Sequence, residues 1–343
     1  MAEHLSQSEL DYPFKLLEYF NGFRVSKVIF SACELGVFDL LLKSHEALSA
    51  QRVAQELGTS VDGMERLLDA LVGIEILEVE REKGTLYSST DVANLYLAKG
   101  SAKSLHDMIV YQSQTIYPLW NNMADAVREG RNQYEKTFGL PSDDVFQAIY
   151  SEEEMLKFMG LMNSSWVLDG HDVVTAFDLS RFQRIVDLGC TGALANEIVK
   201  AYPASNVTVF DLPEVIAAAQ RHFCLEDNRV AFQSDFFRGE IPTADLYVLA
   251  RIVHDWSEEK CLALLKRIYE TCKPGGVLLV EALLFENRRG PLMVQIFSLN
   301  MLVQAEGRER SPSEYINMLN KSGFCNVQVC RTGKSYDAIL AIR

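Results

Sequence analysis

The chain has 343 residues, 48% of them hydrophobic, and 47 acidic against 33 basic side chains give it a formal charge of −14. That length suggests about two domains, and the acidic balance argues against nucleic acid or an anionic membrane as partner, since both call for a basic face. No run of about 18 apolar residues is available to span a membrane. The first residues lack a basic-then-apolar signal region, and the seven cysteines are scattered with no Cys-x-x-Cys spacing, so free thiols in the cytosol are expected.

Residues 11–43 carry Phe14, Leu17, Phe20, Phe23, Val28, Ile29, Cys33, Val37, Leu40 and Leu41 at helical spacing, punctuated by Gly22 and Gly36. Helices this apolar need a covering surface, part of which a second copy of the chain is expected to supply, as a homodimer. Further on, Ser49 caps a short helix ending near Gly58, and Thr59 with Asp62 has capping-box spacing ahead of Met64, Leu67, Leu68 and Leu71. The segments 76–79 and 86–87, with Gly84 between them, predict a short hairpin, so this region reads as a winged helix. DNA binding conflicts with the charge; a dimerisation role and a wall for a pocket fit better. Residues 104–175 return to helix, with aromatic and methionine-rich patches around Trp120 and Trp166 suited to core packing or to lining a flat apolar site.

At Arg184 the pattern changes to alternating strand and helix, the mark of a parallel α/β sheet. Arg184–Leu188 is the first strand, and Gly189-Cys190-Thr191-Gly192 turns into a helix opening at Ala193. Such a turn sets free N–H groups and a positive helix end beside a ligand. The second strand ends at Asp211, placed for ribose hydroxyls or, alternatively, as a cap for the helix opening at Pro213. The third strand leads to Ser234-Asp235-Phe236, where an acid suits an adenine amino group. The fourth, Leu246–Ala250, delivers Arg251, His254 and Asp255 to the carboxyl edge of the sheet. The fifth ends at Glu281. Ser311 with Glu314 forms a capping box around Pro312, and the segments 327–330 and 338–342 close the sheet.

The turn has only G-x-x-G spacing, so a nicotinamide nucleotide fits poorly, and the two strand-end acids and the His-Asp pair suit an adenosyl methyl donor better. Asp187-Leu188-Gly189, Val209-Phe210-Asp211-Leu212-Pro213, Asp235-Phe236-Phe237, His254-Asp255-Trp256, Lys273-Pro274-Gly275-Gly276 and Gly307-Arg308-Glu309-Arg310 together resemble the S-adenosylmethionine-dependent small-molecule O-methyltransferases, over nearly the whole chain. The longer runs 32–40, 125–134 and 298–304 bring it nearest to members acting on hydroxyindoles. The resemblance implies an α/β fold, a Rossmann-like methyltransferase sheet behind an N-terminal helical and winged-helix dimerisation domain. Residues 1–105 would be that domain, and 106–343 a helical linker region plus the catalytic domain.

By the same resemblance, Tyr150, Trp166, Asp211, Asp235, Phe236 and Arg251 would contact S-adenosylmethionine, together with Asp187 and Gly189 of the turn and Ser234. His254 would be the base, flanked by Glu281 and Glu309, and Asp255, Asn300 and Gln304 would hold a hydroxyindole. A solvated histidine at a helix start is the alternative for His254. The remaining histidines form no ligand-spaced cluster, so no metal is expected.

The glycine turn departs from the family pattern Asp-x-Gly-Gly-Gly-x-Gly by being one residue shorter, and Cys190 and Thr191 carry side chains where glycine permits close backbone approach. This supports an alternative function, a weak or inactive relative acting as a binding or dimerisation partner. The intact His254, Asp255, Asn300 and Gln304 favour an enzyme. Cys190 reads either as a reactive thiolate at a helix N-terminus or as a small turn filler.

Overall fold

A computed structural model describes residue 10 and residues 12–82, 84–139, 152–189, 191–223, 227–234 and 241–343. Tyr150, Cys190, Asp235 and Phe236 lie outside the described residues, as does the side chain of Ser234. The chain divides into two compact units, residues 1–114 and 115–343. Among the described residues, no helix is long and apolar enough to cross a membrane.

In the first unit, α1 (Phe14–Leu35) ends where Gly36 takes a φ of 79°, and α2 (Val37–Ser44) begins there. α3 (Ala50–Leu57) is capped by the Ser49 hydroxyl, which accepts from Arg52 N. α4 (Val61–Gly73) corrects one expectation: Ser60, not Thr59, is its cap, accepting from Gly63 N at 3.0 Å. The Thr59 amide is already bonded to Ala54 O behind Gly58, so Thr59 still belongs to the end of α3. β1 (Leu77–Glu80) and β2 (Leu86–Ser89) pair antiparallel as the expected wing, and Leu48 bridges to Tyr87. α5 (Asp91–Tyr96) and α6 (His106–Tyr111) complete the unit. Phe38, Val53, Leu68, Leu71 and Tyr87 form its core, and the Tyr87 hydroxyl donates to Asp69 at 2.8 Å. Along α1, by contrast, Phe14, Tyr19, Phe20 and Phe23 are all more than half exposed.

The second unit opens with short helices α7 (Tyr117–Trp120), α8 (Met123–Glu129) and α9 (Tyr134–Phe138), followed by α10 (Glu152–Val174). The sheet strands are β3 (Arg184–Leu188), β4 (Asn206–Asp211), β5 (Val230–Ser234), β6 (Leu246–Ala250), β7 (Gly276–Glu281), β8 (Cys325–Cys330) and β9 (Asp337–Ile342). Their order is β5-β4-β3-β6-β7-β9-β8. The first five pair in parallel, and β9 runs antiparallel to both β7 and β8. β6 and β7 are buried along their whole length, as expected of strands covered on both faces. α11 (Ala193–Ala201), α12 (Pro213–His222), α13 (Glu258–Thr271), α14 (Leu292–Gln304) and α15 (Pro312–Lys321) make up the rest. The Ser311–Glu314 capping box is present. One core layer gathers Trp166, Ile198, Val209 and Val248; the other gathers Phe210, Tyr247, Leu265 and Leu319.

Candidate active site

Parallel strands bring the ends of β3, β4, β6 and β7 to one edge, and it is there that an open α/β sheet holds ligands. Asp187 is fully buried near the end of β3. Gly189 follows with a φ of 72°, its N–H bonded to Phe210 O, and Gly192 with a φ of 92° leads into α11. Asp211 ends β4. It is not a helix cap: the residue before α12 is Leu212, with no side-chain cap, and the Asp211 carboxylate accepts from Leu212 N at 2.7 Å. Protein packed around this carboxylate lifts its pKa to about 7, although the residue keeps part of its surface open to solvent. Ser234 stands beside Asp211 in register.

β6 runs out into Arg251, which takes a φ of 59°, a region residues other than glycine seldom adopt. Its N–H is tied to Val280 O, its guanidinium lies 4.9 Å over the Tyr336 ring, and it donates to the Tyr336 hydroxyl. Trp166 packs on the same ring, with centroids 5.6 Å apart. Trp166 Nε1 and Arg251 Nε are buried with no hydrogen-bond acceptor among the described residues. Two orphan donors around one tyrosine are costly unless a ligand meets them.

One short 3-10 turn, Val253–Asp255, then carries His254. The ring is buried, which removes the solvated alternative. Nδ1 lies 2.8 Å from Glu309 Oε1 and 4.0 Å from Glu281 Oε2, and Nε2 lies 3.4 Å from Asp255 Oδ1. Burial alone would push this imidazole down; the carboxylates of Glu309, Asp255 and Glu281 outweigh it and hold His254 at about 9. Burial lifts Glu281 to about 7 and also raises Asp255. Donor atoms of His254, Glu281 and Glu309 lie within 4.8 Å of one another, a spacing that can hold a cation, but the bond to Glu309 already commits Nδ1.

The backbone around the histidine is held by buried charge. Glu281 Oε1 accepts from Val253 N at 2.9 Å. Arg310 donates to Val253 O at 2.9 Å and to Trp256 O at 3.0 Å. Gly307 lets the 305–310 loop press against this turn, since a Cβ there would sit 2.0 Å from His254 O. Glu309 therefore reaches the ring from a loop riveted to it. On α14, Asn300 and Gln304 are one turn apart and share a face. Asn300 Oδ1 accepts from Trp120 Nε1 at 2.8 Å.

His254, Asp255, Glu281 and Glu309 thus converge, and Trp166 and Arg251 gather separately at Tyr336. Arg310, Tyr336 and the Trp120–Asn300 bond were not singled out in the sequence. Arg310 lies within Gly307-Arg308-Glu309-Arg310, but nothing in its spacing marks the two carbonyls it holds.

Two family models match the chain: an O-methyltransferase dimerisation domain over residues 17–99 and an O-methyltransferase domain over residues 120–325. The acetylserotonin O-methyltransferase of Gallus gallus is 54% identical over 341 residues, covering 98% of this chain and 99% of that protein. The Homo sapiens enzyme of that name is 49% identical, covering 97% and 99%. A crystal structure of human N-acetylserotonin methyltransferase in complex with SAM superposes with a TM-score of 0.94 at 48% identity, covering 100% of this chain and 99% of that one.

Proposed function

Because the chain belongs to the O-methyltransferase family that carries its own dimerisation domain, we propose that it transfers the methyl group of S-adenosylmethionine to the hydroxyl of N-acetylserotonin, giving melatonin. The observation that carries the chemistry is a buried histidine whose Nδ1 is bonded to a buried carboxylate.

The sheet edge suits the methyl donor. Trp166 and Arg251 offer two buried N–H groups lacking an acceptor, as a ligand carboxylate requires, and Asp211 stands where ribose hydroxyls are met. Asp187, Gly189 and Ser234 line the same strand ends, and Tyr150, Asp235 and Phe236 complete the proposed set. When bound, S-adenosylmethionine supplies an electrophilic methyl group on a sulfonium centre.

The remaining work falls to the protein. A phenol-like hydroxyl has a pKa of about 10 and is a poor nucleophile at neutral pH. With its pKa held at about 9, the ring is mainly charged at neutral pH, and the neutral fraction is the reactive one: it donates Nδ1–H to Glu309 and offers its Nε2 lone pair to the hydroxyl proton as the oxygen bonds to carbon. Glu309, Asp255 and Glu281 stabilise the imidazolium so formed. General-base help of this kind contributes ~10²–10⁴-fold, and holding the oxygen in line with the breaking carbon–sulfur bond contributes further. Asp255, Asn300 and Gln304 hold the indole.

The exposed aromatic side chains of α1 support a homodimer in which a second copy covers them. The free cysteines support a cytosolic location. The short glycine turn motivates a weak or inactive relative, but four convergent acid–base groups weigh against that reading. His254→Ala tests the assignment. Methyl transfer should fall by about 10² or more, while calorimetric affinity for S-adenosylmethionine stays within about threefold; undiminished turnover would remove His254 as base.

A further inference from the structure

The two ends of an amide side chain have the same shape, so its hydrogen-bond partners decide which way it points. Asn300 has a partner that settles the matter. Trp120 Nε1 lies 2.8 Å from its side chain, and an indole N–H can only donate. The oxygen of Asn300 must therefore face Trp120, and the NH2 group is turned to the other side of the amide. Among the described residues that NH2 has no protein acceptor. The helices on either side are fixed as well: α7 and α8 pack on α14, and Gln133 N donates to Val303 O at 3.0 Å.

We propose that Trp120 is a positioning residue that locks the Asn300 amide with its NH2 toward the substrate, so that the site selects hydroxyindoles whose side chain ends in a neutral acyl carbonyl over those ending in an ammonium group. The inference rests on the reading of Asn300 as a substrate contact. A carbonyl oxygen accepts from the NH2. An ammonium group has three donors and no acceptor, so it meets donor against donor, and specificity comes from repulsion as well as attraction.

Three variants test this, each assayed for kcat and KM with N-acetylserotonin and with serotonin, for S-adenosylmethionine affinity by calorimetry, and for melting temperature. Asn300→Asp keeps an acceptor for Trp120 but replaces the NH2 with a charged acceptor. It should raise KM for N-acetylserotonin by about tenfold and move the kcat/KM ratio toward serotonin by more than that. Trp120→Phe keeps the ring and loses the N–H, freeing the amide to rotate. It should raise KM for N-acetylserotonin by about 3–10-fold, with a smaller change in kcat, narrowing the preference. Asn300→Ala should raise that KM without favouring serotonin.

Cofactor affinity should not move in any of the three, which separates positioning from general loss of structure. A shifted preference in Asn300→Asp with none in Trp120→Phe overturns the locking role. Unchanged KM for both indoles in Asn300→Asp and Asn300→Ala overturns the substrate contact and the proposal with it. Wild-type protein that transfers methyl to neither indole overturns the proposed function instead, and the selectivity falls with it.

Discussion

Replacing Glu309 by glutamine isolates the charge beside the proposed base, His254. Glutamine keeps the length of the side chain and an amide oxygen able to accept from Nδ1–H, now bonded at 2.8 Å. Only the negative charge goes. His254 stands at about 9 against an ordinary 6.5. Burial works against this shift, so the three carboxylates together supply more than the whole of it. Glu309 is the largest contributor among them. Two consequences follow for catalysis, which needs a neutral ring at the start and a stable imidazolium later. The acid limb of the kcat/KM profile should move to lower pH, and the plateau should fall by about threefold, because the ring is a weaker base and proton transfer is only partial in the transition state. The assay is kcat/KM for N-acetylserotonin from pH 6 to 10 with S-adenosylmethionine saturating. Profiles that superimpose after vertical scaling would refute the account, since Glu309 would then not be setting the basicity of His254.

Gly307→Ala should be far worse than its single methyl suggests, because its Cβ would lie 2.0 Å from His254 O and 2.7 Å from Trp256 N, both backbone atoms. Overpacking of this kind costs about 1–3 kcal/mol; melting should drop by several degrees and methyl transfer by about 10²-fold, and parental values for both would rule out the close approach. The unliganded protein should also lose stability with rising pH. His254, raised from 6.5 to about 9, contributes stability below pH 6.5 that is lost as pH climbs through 9, and Glu281, raised from 4.5 to about 7 by burial, resists its own ionisation between those values. Melting curves from pH 5 to 9 should fall across that window, with Glu281→Gln flattening the lower part; the same slope in variant and parent would show that Glu281 contributes nothing to it. On α1, Phe20 and Phe23 are 59% and 52% exposed in a single chain, so Phe20→Glu with Phe23→Glu should spare the monomer core and halve the mass by light scattering. A mass that stays at twice 38.7 kDa would place the dimer contact elsewhere.

Much of this was legible in the sequence because the signals are local. Strand and helix patterns alternate along the sequence from Arg184, and an apolar run as short as Leu246–Ala250 fits a strand covered on both faces. His254 and Asp255 were readable because they leave such a strand at its carboxyl end. What could not be read depends on contacts distant in sequence. Thr59 and Ser60 are equally good caps on paper, and only the bond from the Thr59 amide back to Ala54 decides between them. Arg310 is one arginine among many until its guanidinium is found on the Val253 and Trp256 carbonyls. Trp120 and Asn300 stand 180 residues apart, and no periodicity links them.

The shortened turn after β3 is the strongest sign in the sequence of lost activity, and the fold shows how far its effect can reach. β3 keeps its parallel register with both β4 and β6. Gly189 still donates to Phe210 O, and α11 begins at Ala193 and buries Leu194, Ile198 and Val199 in the core. On either side of the shortened stretch, Gly189 and Gly192 both hold positive φ values open chiefly to glycine. Asp211 still ends β4 and accepts from Leu212 N, and His254 is held by Glu309 from the 305–310 loop. Shortening can then alter which N–H groups meet the donor's amino-acid end, while the acid–base centre and the strand-end acid keep their places. A chain drifting from its chemistry has no reason to keep a buried imidazole among three buried or half-buried carboxylates, an arrangement that costs stability without a substrate to use it.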